Sequence, residues 1–314
     1  MASSVVDFME QLDVMDPSWR NAYALVSKHL NVSTHVSLLF KSAWQGGGDP
    51  GEFIKVIGFS KLNPLCLLTA AELVADPDSR KAAGVERALS SLGVRLAAVI
   101  LAINLTCRII LKDKPPPGWK QLFQEMITNI EIGYRIGAKV FEIGVEGGAL
   151  LGFAREAGLA LMLRENNKAL RQCLKESGKS YSVDRQLARK LFGCEPYQVA
   201  ALALQHLGFG HQLAIGFASA EDTFDGGQEL EREAMRWKAA REWLDALRES
   251  RNYPASLASR NFYPELIPPR FGQARNTLLD VLYTEIAKIK DEGSRWNWHL
   301  TRPASEQAAS ESGN

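Results

Sequence analysis

The chain has 314 residues, of which 46% are apolar and 23% charged, and its 37 basic and 36 acidic side chains leave a formal charge of +1. Such a chain forms one large domain or two small ones and buries a core without crosslinks. The even balance carries neither the basic footprint of a nucleic-acid binder nor that of a membrane-surface protein, and it leaves protein partners open.

Helical periodicity governs most of the chain and strand signals are weak, so the expected class is all-α. Val5, Phe8, Met9 and Leu12 keep helical spacing behind Ser4, a candidate N-cap. The opening MASSVVDFMEQLDVMD has acidic residues and no basic segment, and does not read as a secretory signal. Asp16-Pro17-Ser18 stops this helix and starts the next, which runs to about residue 30. WQGGGDPGEF (44–53) is a loop. Its three glycines lack the preceding strand and the following Gly-Lys-Ser/Thr of a phosphate loop, and Asp49-Pro50 opens the next helix. Helices are expected over 50–59 and 63–74, and Asp76-Pro77-Asp78 breaks the chain. GVERALSSLGVRLAAVILAINL (84–105) is helical with a turn at Gly93. Its apolar part, LAAVILAINLTCRIIL (96–111), holds Asn104, Thr106 and Arg108, and is too short and too interrupted to span a bilayer. KDKPPPGWK (112–120) is a loop, because consecutive prolines cannot sit inside a helix.

FQEMITNIEIGYRIGAKVFEIG (123–144) places Ile127, Ile130, Tyr134 and Ala138 on one helical face. GALLGFAREAGLALML (148–163) reads as buried helix, yet Arg155 and Glu156 stand in its middle between Gly152 and Gly158. MLRENNKALRQCLKESGKSYS gives another amphipathic helix ending at Gly178, and SVDRQLARKLFG (182–193) a helix capped by Ser182 and stopped at Gly193. CEPYQVAALALQHLGFG is a strongly apolar helix with Pro196 in its first turn. EDTFDGGQ then forms a linker-like loop before a highly charged helix over 229–251. There Leu230, Trp237 and Leu244, with Ala240 and Leu247, form a short seam that docks on the chain's own core more readily than on a second copy. NYPASLASRNFYPELIPPRFG is a loop rich in proline and aromatics, and Leu278, Leu282, Ile286 and Ile289 stripe a last helix that ends near Lys290 and Gly293. Trp237, Trp243 and the loop 253–271 are candidate contact surfaces for a partner.

Cys66, Cys107, Cys173 and Cys194 are widely spaced and form no CxxC pair, which reads as free thiols in a reducing cytosol rather than disulfides or zinc ligands. His206 and His211 straddle Gly208 and Gly210, a spacing that does not put both rings on one face of a continuous helix.

Four distinct phrases follow one another along the chain. VIGFSKLNPLCLLTAAEL (56–73) carries Leu67-Leu68 and Ala71, and GVERALSSLGVRLAAVILA carries Ala88, Leu89, Leu92 and Gly93. GFAREAG carries Gly152 and Gly158, and FGCEPYQVAA carries Phe192, Gly193, Val199 and Ala201. Over roughly residues 34–220 this order resembles the HDOD family, bacterial signalling domains related to the HD-type metal phosphohydrolases. The departures fall on the chemistry. Ser60-Lys61 occupies an Asp-Pro position and Glu72 an asparagine position. Arg155 replaces the histidine and Glu156 the aspartate of the HD pair, Pro196 replaces a second histidine, Ala200 a glycine, and no ligand stands near 217–219.

The resemblance implies an HD/HDOD-like multi-helix bundle with extra terminal helices. The N-terminal helical extension would cover 1–33, the HDOD-like domain 34–220, a C-terminal helical extension packed on it 221–302, and a disordered tail 303–314. It implies a non-catalytic, cytoplasmic signal-transduction or regulatory protein that acts through protein–protein contacts with an unidentified partner. No cofactor, catalytic residue or metal ligand set is expected, because an HD site needs imidazole and carboxylate donors and a guanidinium keeps its charge. The pair Arg155 and Glu156 is either salt-bridged or solvent-facing on a packed helix, or the remnant of a pocket where Arg155 now holds a small anionic ligand. Arg135 and Lys139 are candidates to join it. The alternative is a metal-dependent phosphohydrolase with altered ligands, for which Glu156 speaks. Neither nucleic acid nor a membrane is expected as a partner, and the oligomeric state is not legible.

Overall fold

Proline, glycine and asparagine punctuation sets most of the element boundaries. The computed structural model describes residues 17–59, 62–74, 84–112, 116–177, 180–221, 230–251, 253–267, 277–294 and 296. In order these form α1 (Ser18–His29), α2 (Thr34–Trp44), α3 (Pro50–Phe59), α4 (Leu65–Val74), α5 (Val85–Leu111), α6 (Trp119–Lys139), α7 (Gly144–Glu165) and α8 (Asn167–Cys173). A two-stranded antiparallel hairpin, β1 (Leu174–Ser177) and β2 (Ser180–Val183), follows. Then come α9 (Arg185–Phe192), α10 (Pro196–Leu207), α11 (His211–Ser219), α12 (Arg232–Arg248), α13 (Leu257–Phe262), a 3₁₀ turn (Pro264–Leu266) and α14 (Leu278–Glu292). The helix expected behind Ser4 and the tail 303–314 lie outside the described residues.

The all-α architecture expected from the sequence is the one found, and α7 is its hub. That helix touches α1, α5, α6, α8, α10 and α12, and from Gly147 to Leu163 every residue except Arg155 is buried. A helix apolar on every face has no solvent side to offer and settles in the middle of a domain. Its glycines decide how close the neighbours come. A side chain at Gly148 would overlap the carbonyl oxygen of Gly133 on α6, and one at Gly152 that of Asn129. Gly158 serves α10 instead: a Cβ there would lie 2.7 Å from the Pro196 carbonyl oxygen. The two glycines that frame Arg155 and Glu156 therefore let two different helices approach the backbone of α7.

α5 is long and apolar enough to cross a membrane by length and composition, but most of its apolar window is buried inside the fold. The turn expected at Gly93 is found as a kink where two helical segments of α5 meet. The residue takes the non-helical angles φ +74° and ψ 152°, a backbone region that disfavours any residue with a Cβ.

Several sequence expectations are corrected. The helix expected to reach Gly178 stops at Cys173, and the chain turns into the hairpin. Asn166 restarts it first, its side chain accepting from the Ala169 N–H at 3.1 Å. The cap of α9 is not Ser182, which lies in β2, but Asp184, whose carboxylate accepts from the Leu187 N–H at 3.0 Å. Aspartate and serine both cap well, and the strand pairing takes Ser182 away. On α6 the stripe Ile127, Ile130, Tyr134, Ala138 is not the buried face. Ala138 is exposed and Ile127 and Tyr134 are half-buried, whereas Met126, Ile130, Gly133, Ile136 and Gly137 are buried. The glycines, not the largest apolar side chains, face α7. The loop expected after residue 252 contains α13, capped by Ser256 through the Ser259 N–H.

Two of the candidate contact surfaces, Trp237 and Trp243, prove internal, whereas Leu257 in the loop is 67% exposed. Trp237 and Trp243 are buried at 1% and 0% exposure. The Trp237 ring lies against Gly147 of α7 and Trp44 of α2, and the Trp243 indole donates to the Ser259 carbonyl at 2.9 Å. The seam of α12 docks on the chain's own core, with Trp237, Ala240, Leu244 and Leu247 all buried. All four cysteines are free and buried. Burial pushes the thiols of Cys66, Cys107 and Cys194 up to about 12.

Candidate functional site

Of the charged pair in the middle of α7, Arg155 opens onto a cavity of about 400 Å³. Arg155 forms part of its wall from α7, and Pro196 and Tyr197 from the start of α10. The base of the hairpin, the first residue of α9, the end of α11 and the last turns of α12 complete it. Two positions that the sequence singled out, Arg155 and Pro196, thus meet at one cavity. The reason lies in the glycine frame: Gly158 lets the first turn of α10 sit directly on α7, one turn beyond Arg155.

Glu156 is at 0% exposure and turned inward. It accepts from the Asn129 amide of α6 at 3.0 Å and from Arg155 Nη1 at 2.6 Å. A wholly buried carboxylate is tolerated when it is paired and hydrogen-bonded, so the adjacent arginine and the asparagine across the glycine crossing explain how a charge stands in this core. Arg155 keeps about a fifth of its side chain exposed on the cavity side. Glu125, also on α6, has its carboxyl pushed above the usual range by burial and by the nearby Glu156 charge; Arg155, Arg248 and Lys290 pull the other way.

The remaining charges of the cavity were not found by sequence reasoning. Arg185, Arg241, Arg248 and Arg251 join Arg155 on its lining, with Glu221, Glu242, Asp245 and Glu249 as the acidic members. Five guanidinium groups and four carboxylates line it, and Arg155 and Arg185 have further counter-charges in Glu156 and Glu195 behind the wall. Arg241 is buried at 4% exposure. It donates to the Phe217 carbonyl at 2.6 Å, pairs with Glu221, approaches Asp245 at 3.4 Å, and lies 3.8 Å from the centre of the Phe217 ring. Arg185 reaches Glu195 at 2.6 Å and Glu221 at 3.2 Å, 5.1 Å from the Tyr197 ring. Arg248 pairs with Asp245 and Glu249. Arg135 and Lys139, the expected helpers, are elsewhere: Arg135 meets Glu131 at 3.4 Å and Lys139 meets Glu285 at 3.9 Å. One signal was available. Arg241, Asp245 and Arg248 recur at i, i+4 and i+7 on α12 and so form one polar stripe on the helix.

The side chains gathered here do not fit the divalent cation of an HD-type hydrolase. Such ions take imidazole and carboxylate donors. Pro196 offers no side-chain donor, Phe217 none, and Glu156 is wholly buried with its Oε1 held by Arg155 and Asn129. Among the described residues no three His, Cys, Asp or Glu side chains come together in a group that could hold a metal ion. His206 and His211 are both held below the usual imidazole range by burial, and neither lines the cavity.

No protein-family model matches the chain, and no curated protein matches it in sequence. A solved structure does match in shape. It is the crystal structure of a protein named "Putative phosphohydrolase" from Shewanella amazonensis SB2B, over 90% of this chain and 98% of that one, with a TM-score of 0.52 and 14% identity. At that identity the likeness is one of fold. The chain shares an all-α fold with a phosphohydrolase-named protein across nearly the whole length of both.

Proposed function

We propose that this chain is a non-catalytic, HDOD-like regulatory protein in which Arg155 and Pro196 stand in place of two metal-binding histidines of an HD phosphohydrolase. Its cavity takes a small anionic ligand, and it acts on its partner through protein contacts. The observation that carries this reading is the meeting of Arg155 and Pro196, the two altered histidine positions, at one cavity lined by five arginines. The fold likeness to a phosphohydrolase-named structure supports the ancestry. The chemistry of the lining supports the change of role, because guanidinium forks recognise oxyanions and oppose a cation. The protein-contact half of the reading rests on the HDOD resemblance.

The test is a thermal-shift and calorimetric screen with inorganic phosphate, pyrophosphate and nucleotides, run beside a phosphodiesterase assay with added magnesium and manganese. The expected outcome is a rise in melting temperature with at least one of these anions, weakened in Arg155→Ala, and no metal-dependent turnover. Metal-dependent hydrolysis with stoichiometric bound metal would overturn the reading in favour of a phosphohydrolase with altered ligands. Capture from source cells then identifies the partner.

A further inference from the structure

We propose that the oxyanion seat of this cavity is the pair Arg185 and Arg241, and that Glu221 is a built-in anion occupying it until a phosphate-bearing ligand displaces the carboxylate. The inference rests on the anion-binding reading and names both the residues that would hold the anion and the device that regulates it.

Glu221 spans the two guanidinium groups with one oxygen on each. Its Oε2 lies 3.2 Å from Arg185 Nη1, and its Oε1 accepts from Arg241 Nη2. That is how a pair of arginines holds two oxygens of a phosphate. Each guanidinium is also fixed by contacts that do not involve this carboxylate. Arg185 is anchored through Nε on Glu195 and lies against Tyr197. Arg241 is anchored through Nη1 on the Phe217 carbonyl, through Nε near Asp245, and against the Phe217 ring. Removing the Glu221 carboxylate would leave the fork in place, with one Nη of each arginine directed at the vacated seat.

Arg155 is a poorer seat for a ligand. Its counter-charge is Glu156, which is wholly buried, bonded to Asn129 and unable to swing aside. Glu221 stands just beyond the end of α11 with about a quarter of its side chain exposed, and Arg185 has about a third exposed, so this fork is open on the cavity side. Arg241 is nearly enclosed and supplies the desolvated half of the seat. An internal competitor of this kind lowers apparent affinity by the fraction of time it occupies the site. Its removal should therefore tighten binding without any new contact.

The experiment is calorimetric titration of the full chain with pyrophosphate, comparing wild type with Glu221→Gln, Glu221→Asp and Arg185→Met. Glu221→Gln is expected to bind about tenfold tighter than wild type, and Arg185→Met to lose binding. Without ligand, Glu221→Gln should melt below wild type, and saturating pyrophosphate should restore it, a recovery that a merely structural role for Glu221 would not give. Glu221→Asp keeps the charge but is too short to span both arginines. It should tighten binding by a smaller factor, and it carries the test if the glutamine variant does not fold. Equal affinity in wild type and both Glu221 variants would overturn the built-in competitor while leaving an anion-binding cavity. Absence of pyrophosphate binding in all of them, with no response to the other anions, would overturn the anion-binding reading itself.

Discussion

α7 has two sides that solve opposite problems. Toward α6 it presents Gly148 and Gly152, and the two backbones touch with no room for a side chain. Toward α12 it presents Arg155 and Leu159, and the space between the helices is a charged cavity. The first contact is dry and sets a distance. The second is held open by ion pairs and sets a chemistry. Only 27 residues separate Asn129 from its partner Glu156, yet that hydrogen bond joins the two regimes, because it runs from the glycine crossing to the base of the cavity. Rigidity on one side is what lets buried charge be positioned on the other.

The contrast can be broken from either side. Glu156→Ala should have the largest effect. It removes the carboxylate that both Arg155 and the Asn129 amide donate to and leaves a void in the core, and a loss of roughly 3–5 kcal/mol is expected in urea unfolding. If the variant is as stable as wild type, the buried pair is not what holds the cavity wall. On the dry side, Gly148→Val should cost about 3 kcal/mol, since its side chain would meet the Gly133 carbonyl and the helices would have to part. An unchanged melting curve would show that the crossing is looser than described. Asp184→Ala removes the cap that starts α9 and orients Arg185, with an expected loss of about 1 kcal/mol and a weaker pyrophosphate response.

The smallest effect is a pH dependence at Glu125. The folded carboxyl is raised above its ordinary value by burial and Glu156, so the folded state holds a proton that the unfolded chain has released. Stability then falls as pH rises from the ordinary carboxylate range through the raised value, and the deficit persists at neutral pH. Glu125→Gln should melt slightly above wild type at about pH 7 and equal it at about pH 3. A lower melting point at neutral pH would show that the ionised carboxylate is used by the surrounding cations.

Helix existence was legible wherever punctuation and periodicity agreed: Pro17 before α1, Asp49-Pro50 before α3, Pro196 at α10, and the closing stripe of α14. The failures have physical causes. At 174–183 a short pairing of eight residues outcompetes a helix pattern that lacks an internal stop before Gly178. On α6 the apolar stripe misled, because small residues rather than large ones mark a face when two backbones must touch. For the site, Arg155 and Glu156 stood out in the sequence because they interrupt an apolar helix inside a frame of glycines, and Pro196 because it occupies a histidine position in the resemblance. Arg185, Glu221 and Arg241 did not, because each looks like an ordinary surface charge among many.

By itself, then, the sequence determined the all-α class, the central buried helix and the odd charged pair within it, since these follow from local propensity and the period of apolar residues. The tertiary structure alone decided which charges share a cavity. Arg155, Arg185, Glu221 and Arg241 come from four separate stretches, and electrostatic pairing depends on distances in space that no one-dimensional pattern records.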